Sequence, residues 1–450
     1  MMTIIVRCVC KFLISILFVS VGLGYETVNA ATSKVEREVL DNQMVVLFSE
    51  QHQLPFITIN LLFDAGSSRD PQELPGLANL TSEAILLGTE KFSLNAINRE
   101  LDFLGAELST ACDRDFMTVS FRILTKHLDQ GMELFNEVII RPAFPDDQIQ
   151  RKKRKIQGML KSMQVQPDYI ADRQFYRTLF RHNPYGHPVE GSIESLARMN
   201  RKSVTDFYRK FLKPNNAVLA IVGEVTREEV RSKILSRLEQ WSAGESLPKA
   251  DFKEIFEEKR DSVLTDKPVA QANIVMGHGG VERKNEDYYK IQVMNQIFGG
   301  SGFTSRLFRE VRVQKGLAYS VGSAFISRKY SGSMQVTMQT QNSSAKEAMD
   351  IVMEVIKEMQ ETLPTDQEME TARQYLIGSF PMRFDSQAEL ASYLVQIEYY
   401  DLGLDYFKKY PGYIQAVSGN DVLQAARTYL KSGDVISSIV ADLEKTDLDQ

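Results

Sequence analysis

The sequence predicts an α+β protein built as two homologous halves, each a mostly antiparallel sheet with helices packed on one face. Strand-like and helix-like stretches follow one another in the same order twice. The two halves also end alike. Phe207-Tyr208-Arg209-Lys210-Phe211-Leu212-Lys213 matches Ala425-Ala426-Arg427-Thr428-Tyr429-Leu430-Lys431, and a polar turn and an apolar strand follow each. A repeat of roughly 200 residues is a domain duplication and not a solenoid. Strands that adjoin helices on one side give layered α+β architecture.

In the first half, Met44 to Phe48 and Phe56 to Phe63 are strand-like runs separated by the polar gap Glu50 to Pro55. Pro75 starts a helix and Gly88 ends it. A second helix is expected over 97–104. Residues 106–110 and 116–121 alternate like paired strands. Helices follow over 126–137, 146–163 and 203–212. Lys213-Pro214-Asn215-Asn216 then turns into the strand Ala217 to Gly223.

The second half repeats the order. A strand at 270–276 precedes a helix at 287–297. Strands at 318–326 and 332–340 flank the turn Arg328-Lys329-Tyr330, and helices follow at 345–361, 366–378 and 420–430. Lys431-Ser432-Gly433-Asp434 leads into the last strand, Val435 to Ala441. The expected organisation is a signal peptide at 1–30, a first domain at 31–240, a linker at 241–266 and a second domain at 267–450. Gly244, Pro248 and many charges mark the linker.

Length and composition agree with a large globular protein: 450 residues, 43% apolar and 25% charged. Arg7 and Lys11 precede an apolar run from Phe12 to Leu23, and Val28-Asn29-Ala30 fits the small-residue cleavage rule. Export is expected, to the periplasm if the host is a Gram-negative bacterium. After cleavage no stable membrane insertion is expected; retention of the segment as an anchor is the alternative. The formal net charge of −6 disfavours a general nucleic-acid binder. Cys8 and Cys10 leave with the signal, so Cys112 remains alone and burial, not disulfides, must stabilise the chain. Cys112 reads as a small packed side chain, with a reactive thiol as the alternative.

Residues 76–89 read Gly-Leu-Ala-Asn-Leu-Thr-Ser-Glu-Ala-Ile-Leu-Leu-Gly-Thr. This frame resembles the zinc helix of the pitrilysin/insulinase (M16, inverzincin) peptidases, which write His-x-x-Glu-His inside it. Ala65 to Asp70, Asn183-Pro184-Tyr185-Gly186-His187-Pro188, Gly299-Gly300-Ser301 with Ser305-Arg306-Leu307-Phe308, and Gly316-Leu317-Ala318-Tyr319-Ser320 resemble further family segments. The resemblance spans nearly all of the mature chain. It implies two homologous halves enclosing a chamber.

It also implies a lost metal site. The two His positions hold Asn79 and Glu83, and the Glu position holds Ser82. Zinc hydrolysis needs three good ligands, an open position for water and a nearby base. Asn79 and Glu83 keep the i,i+4 spacing that puts two groups on one helix face. An amide is a poor zinc ligand, however, and Ser82 cannot serve as the base. The family's third ligand is a Glu near Met159, yet no Asp or Glu occurs between Asp147 and Asp168. No metal ligand is therefore assigned to this chain; a remodelled site holding another cation through Glu83 is the alternative. Of the five histidines, His52, His127, His182, His187 and His278, only His182 and His187 lie close, and their spacing reads as a loop.

Arg312 and Tyr319 stand seven apart around Gly316. In the family a matching pair in the second half binds the substrate backbone and stabilises the transition state, since a guanidinium and a phenol both donate to a carbonyl oxygen or oxyanion. The resemblance thus implies a non-catalytic subunit. A zinc-bearing M16 homologue would be its partner, zinc would be held in that partner, and a peptide or unfolded protein would be the substrate. The rival reading is a chamber-type peptide-binding or scaffold protein without hydrolysis. The basic run Arg151 to Lys155 reads as a solvated helix face, with attraction of acidic peptides as the alternative. Gly299-Gly300-Ser301-Gly302 lacks the following Gly-Lys-Ser/Thr of a phosphate loop.

Overall fold

Apolar alternation resolves into two mixed sheets. The structure, a computed structural model, describes residues 34–181, 183–247, 252 and 262–448. The expected signal segment with Cys8 and Cys10, His182, and linker residues 248–251 and 253–261 lie outside the described residues. The first sheet contains β1 (Glu36–Val39), β2 (Val45–Glu50), β3 (Phe56–Phe63), β4 (Glu107–Cys112), β5 (Met117–Leu124) and β6 (Ala217–Gly223), in the order β1-β2-β6-β3-β5-β4. The second contains β7 (Ser262–Asp266), β8 (Gln271–Gly279), β9 (Ala318–Ser327), β10 (Gly332–Gln341) and β11 (Ile436–Ala441), in the order β7-β11-β8-β10-β9. Each sheet has one parallel pair, β2 with β6 and β7 with β11, at matching places. The duplication is therefore visible in the strand order itself.

The helices of the first half are α1 (Leu77–Ala84), α2 (Leu94–Leu104), α3 (Leu128–Ile140), α4 (Asp146–Met163), α5 (Pro167–Leu179) and α6 (Arg201–Phe211), with short helical turns between them. Those of the second are α7 (Tyr288–Asn295), α8 (Ala345–Glu361), α9 (Asp366–Ser379), α10 (Gln387–Tyr399), α11 (Tyr406–Gln415) and α12 (Gly419–Tyr429). The matched endings start alike. α6 begins with a capping box of Asn200 and Ser203, and α12 with one of Ser418 and Asp421. A single helical turn then leads each into the strand next to the parallel pair's partner, β6 or β11. No helix of the described residues is long and apolar enough to cross a membrane.

Each half lends a helix to the other. α5 packs on β8 and β11, and α10 packs on β3 and β6. Strand periodicity explains how one sheet serves two partners. Val46, Ile59, Leu61, Leu219 and Ile221 point into the core of the first half. The alternate residues Leu47, Leu62, Ala220 and Val222 point into the core of the second, with Leu390, Leu394 and Ile397 of α10. Conversely Ala171, Phe175 and Leu179 of α5 cluster with Val275, Ile436 and Val440. The expected helices on one face are present, and the opposite face takes the exchanged helix. That is why every residue of β11 is buried.

Polar groups fill the rest of the boundary. Asp115, fully buried, accepts from the Tyr185 hydroxyl, from Lys329 N at 2.9 Å and from the Tyr400 hydroxyl at 3.1 Å. Asp64 accepts from Arg69 at 2.8 Å, Tyr399 at 3.2 Å and Lys329 Nζ at 3.3 Å. The turn between β9 and β10 thus docks onto the first half.

The expected linker is too long at both ends. Trp241 is buried against Phe63, ring centroids 5.9 Å apart, and belongs to the first core. Residues 262–266 form β7 because β11, far along the chain, supplies their pairing; nothing local announces that strand.

Candidate functional site

Within the 76–89 frame the helix is α1, Leu77–Ala84, which ends before the expected Gly88, and it is held at its start by Asp70. The Asp70 carboxylate accepts from Gly76 N at 2.6 Å and Ala78 N at 2.7 Å, satisfying amides that a helix leaves open. Its side chain is fully buried, and that burial raises its pKa well above the ordinary carboxylate value. Gly76 takes φ 94°, and a Cβ there would meet the Glu190 carbonyl at 2.7 Å, so the frame requires glycine. His187 Nε2 stands 3.7 Å from Asp70, and its Nδ1 lies 3.0 Å from the Pro188 carbonyl; burial lowers its pKa. His187 is thus part of the support of this helix.

On α1, Asn79 and Glu83 are half-buried and Ser82 is buried. The Ser82 hydroxyl donates back to the Asn79 carbonyl at 2.8 Å, an intrahelical bond. The Glu83 carboxylate accepts from Lys152 Nζ of α4 at 2.5 Å. An ammonium therefore neutralises the carboxylate where a metal ion would have to do so. Met159, near the place expected for a third ligand, is exposed and offers a thioether. Among the described residues, no group of three or more His, Cys, Asp or Glu is placed to hold a metal ion. The donor set does not fit zinc.

The basic run divides between two environments. Lys153 is buried and donates to the Met199 carbonyl at 2.5 Å, tying α4 to the segment before α6; burial lowers its pKa. Arg151, Lys152 and Lys155 face a cleft of about 490 Å³ between α1, α2, β4 and α4. The expected solvated face holds for Arg151, Arg154 and Lys155, and Lys153 departs from it. The sequence reading also missed Lys152 as the partner of Glu83, since 69 residues separate them.

Arg312 and Tyr319 come together. Arg312 lies on a wide helical segment, Phe308–Gln314, whose i→i+5 bonding is often found at functional sites. Gly316, at φ 65°, reverses the chain, and Leu317 N bonds back to the Val311 carbonyl at 2.9 Å. Tyr319 then enters β9, the outer strand of the second sheet. The Arg312 guanidinium stacks 4.5 Å from the Tyr319 ring and 4.8 Å from the Phe308 ring. Tyr319 is 77% exposed. The stacked pair lies in the second half and the Asn79–Glu83 helix in the first.

The remaining sequence features are structural. Gly299 packs so closely that a Cβ would meet Leu307 at 2.7 Å. His278 is buried and accepts from Lys431 N at 3.1 Å. Cys112 is half-buried; burial and the nearby Asp70 raise its pKa well above the usual thiol value, away from a thiolate.

A model of the insulinase (peptidase family M16) domain matches residues 45–192, and a model of the peptidase M16 inactive domain matches residues 198–376. The chain belongs to the M16 family. A Helicobacter pylori protein named non-peptidase homolog YmxG is 24% identical over 440 residues, covering 97% of this chain and 99% of that protein. The uncharacterized zinc protease YmxG of Bacillus subtilis is 22% identical, covering 78% and 85%. A solved peptidase M16 inactive domain from Pseudomonas fluorescens matches with a TM-score of 0.85 at 26% identity, over 91% of this chain and 98% of that one. A Helicobacter pylori protease structure matches with a TM-score of 0.84 at 16% identity, over 91% and 99%, a likeness of fold alone. This M16 chain is an inactive member: the helix that bears the family's metal motif carries Asn79, Ser82 and Glu83.

Proposed function

We propose that this chain is an exported, non-catalytic M16 subunit that pairs with a zinc-bearing homologue to form a peptide-degrading or processing peptidase. The observation that carries the reading is the Arg312–Tyr319 stack. The Arg312 guanidinium is stacked on the Tyr319 ring and makes no side-chain hydrogen bond among the described residues, and the Tyr319 side chain that carries the phenol is 77% exposed. Together they suit a peptide carbonyl or a developing oxyanion. Metal and base would come from the partner, because α1 offers neither. The apolar stretch behind Arg7 and Lys11 supports export, and a periplasmic site follows if the host is Gram-negative.

Reconstitution tests this reading. The purified chain is expected to cleave no peptide alone and to raise or create peptidase activity when mixed with an exported M16 homologue that has an intact His-x-x-Glu-His. If the mixture is no more active than the homologue by itself, the assignment falls.

A further inference from the structure

We propose that the pocket between α5 and the loop Asn183 to Pro188 binds a ligand carrying two linked phosphate groups, with Arg173 and Arg177 as its anchors. This pocket, of about 530 Å³, shares no lining residue with the cleft of Glu83 and Lys152 and lies in the other half from the Arg312–Tyr319 pair. The pocket is unbalanced in charge. Arg173, Arg177 and Arg181 line it, and Asp70 is the one acid that does so among the described residues. The Asp70 carboxylate does not serve these arginines: its side chain is fully buried and accepts from Gly76 N and Ala78 N at the start of α1. Arg181 has a partner of its own, but neither Arg173 nor Arg177 makes an ion pair among the described residues. Glu194 feels the charge of Arg173 across space, yet it is exposed and is not part of the lining. Two uncompensated guanidiniums in a concave site, within a chain whose net charge is −6, draw anions to that site.

The arginines are also held in place. Four residues of helix set Arg173 and Arg177 roughly 6 Å apart along α5 and on the same side of it. That side is opposite to Ala171, Phe175 and Leu179, which are packed against the second sheet, so α5 cannot roll. The facing loop is fixed as well. The buried Tyr185 hydroxyl donates to Asp115, and a Cβ on Gly186 would meet the Phe180 carbonyl at 2.5 Å. The Asn183 side-chain carbonyl accepts from Tyr185 N at 3.0 Å, which leaves its NH2 group as a further donor on a lining residue.

The ligand class follows from these donors. The apolar part of the lining is three prolines, Pro75, Pro184 and Pro188, so an acyl chain or an apolar side chain would find nothing to bury against. A guanidinium fork takes two oxygens of one phosphate in parallel hydrogen bonds. Two forks offset by roughly 6 Å are too far apart to grip a single phosphate together, whereas two linked phosphates give each fork its own group.

No partner subunit is needed for this site, so the isolated full chain serves for the test. It is titrated in phosphate-free buffer by isothermal calorimetry with inorganic pyrophosphate, with phosphate and with citrate. Pyrophosphate is expected to bind one to one, about tenfold tighter than either other anion, and to weaken as salt rises. R173Q combined with R177Q should weaken it by about tenfold or more. Arg177→Gln alone, at an exposed position, should keep the native circular dichroism spectrum and still weaken binding severalfold. K346Q combined with K357Q removes the same charge from α8 and should leave binding unchanged. Co-sedimentation with phosphatidylglycerol vesicles separates the sources of phosphate: sedimentation that pyrophosphate abolishes assigns the groups to a lipid surface, and no sedimentation assigns them to a soluble diphosphate. Absence of pyrophosphate binding, equal affinity for citrate, sedimentation that pyrophosphate cannot displace, or equal losses in the α5 and α8 variants would each overturn the proposal.

Discussion

The Lys152 ammonium lies 2.5 Å from the Glu83 carboxylate and ties α4 to the helix on which the M16 family places its metal motif. The loss of metal chemistry is therefore more than a set of missing ligands. The remaining acidic group has acquired an internal counter-ion, and Ser82 is turned back onto its own helix.

Zinc should be irrelevant to the stability of the isolated chain. A ligand that binds the native state alone raises Tm, and removing it lowers Tm. With Glu83 engaged by Lys152 and no Asp or Glu on α4 beyond Asp147, neither added zinc nor a chelator should shift the melting temperature. Differential scanning fluorimetry checks this. A zinc-dependent rise, or stoichiometric zinc after dialysis, would contradict the donor-set argument.

The exchanged helices should make the two halves one folding unit. Leu394 of α10 is fully buried against the sheet of the first half. Leu394→Ala should cost about 3 kcal/mol and move a single unfolding transition, not one of two. Circular dichroism against urea reads both quantities. The first half expressed by itself, residues 34–247, would expose Leu47, Leu62, Ala220 and Val222, and is expected to aggregate or remain unfolded. A soluble, cooperatively folded first half would refute the exchange as a stabilising device.

Acid should weaken the protein through His278. Burial holds this imidazole at a pKa of about 4, with Nε2 accepting from Lys431 N. The ordinary value is near 6.5. The native state thus binds fewer protons than the unfolded state between those values. The stability tied to His278 is fully present above pH ~6.5 and is lost as pH falls toward about 4, by up to about 3 kcal/mol. Asp70 and Asp115, whose pKa values burial raises, act in the opposite sense, since their contribution fades as pH rises. The informative measurement is therefore the difference between wild type and His278→Gln across pH 7 to 4.5. The variant should show the shallower acid loss; parallel curves would refute the assignment.

Much of this architecture was legible in the sequence because its signals are local. The alternation of 318–326 and 332–340 gave β9 and β10 almost residue for residue, and 146–163 coincides with α4. The matched endings gave the duplication. What stayed hidden depends on distant partners. α5 presents a narrow apolar stripe of Ala171, Phe175 and Leu179 among charged residues, and its counterpart strands β8 and β11 lie about 100 and about 260 residues further on; α10 answers to strands far back in the first half. β7 gains its pairing only from the last strand. At the candidate site, the spacing of Arg312 and Tyr319 was readable, whereas their stacking depends on the turn at Gly316. The Glu83–Lys152 pair left no local trace at all.

The central claim is that this inactive M16 chain contributes Arg312 and Tyr319 to a reaction whose metal is held by a partner. The most direct measurement is peptidase activity of the zinc-bearing homologue mixed with wild-type chain, Arg312→Ala or Tyr319→Phe. Removing one oxyanion donor characteristically lowers turnover by about a hundredfold, so both variants should bind the partner normally and show kcat reduced on that order. Full activity in both complexes, with binding intact, would contradict the claim.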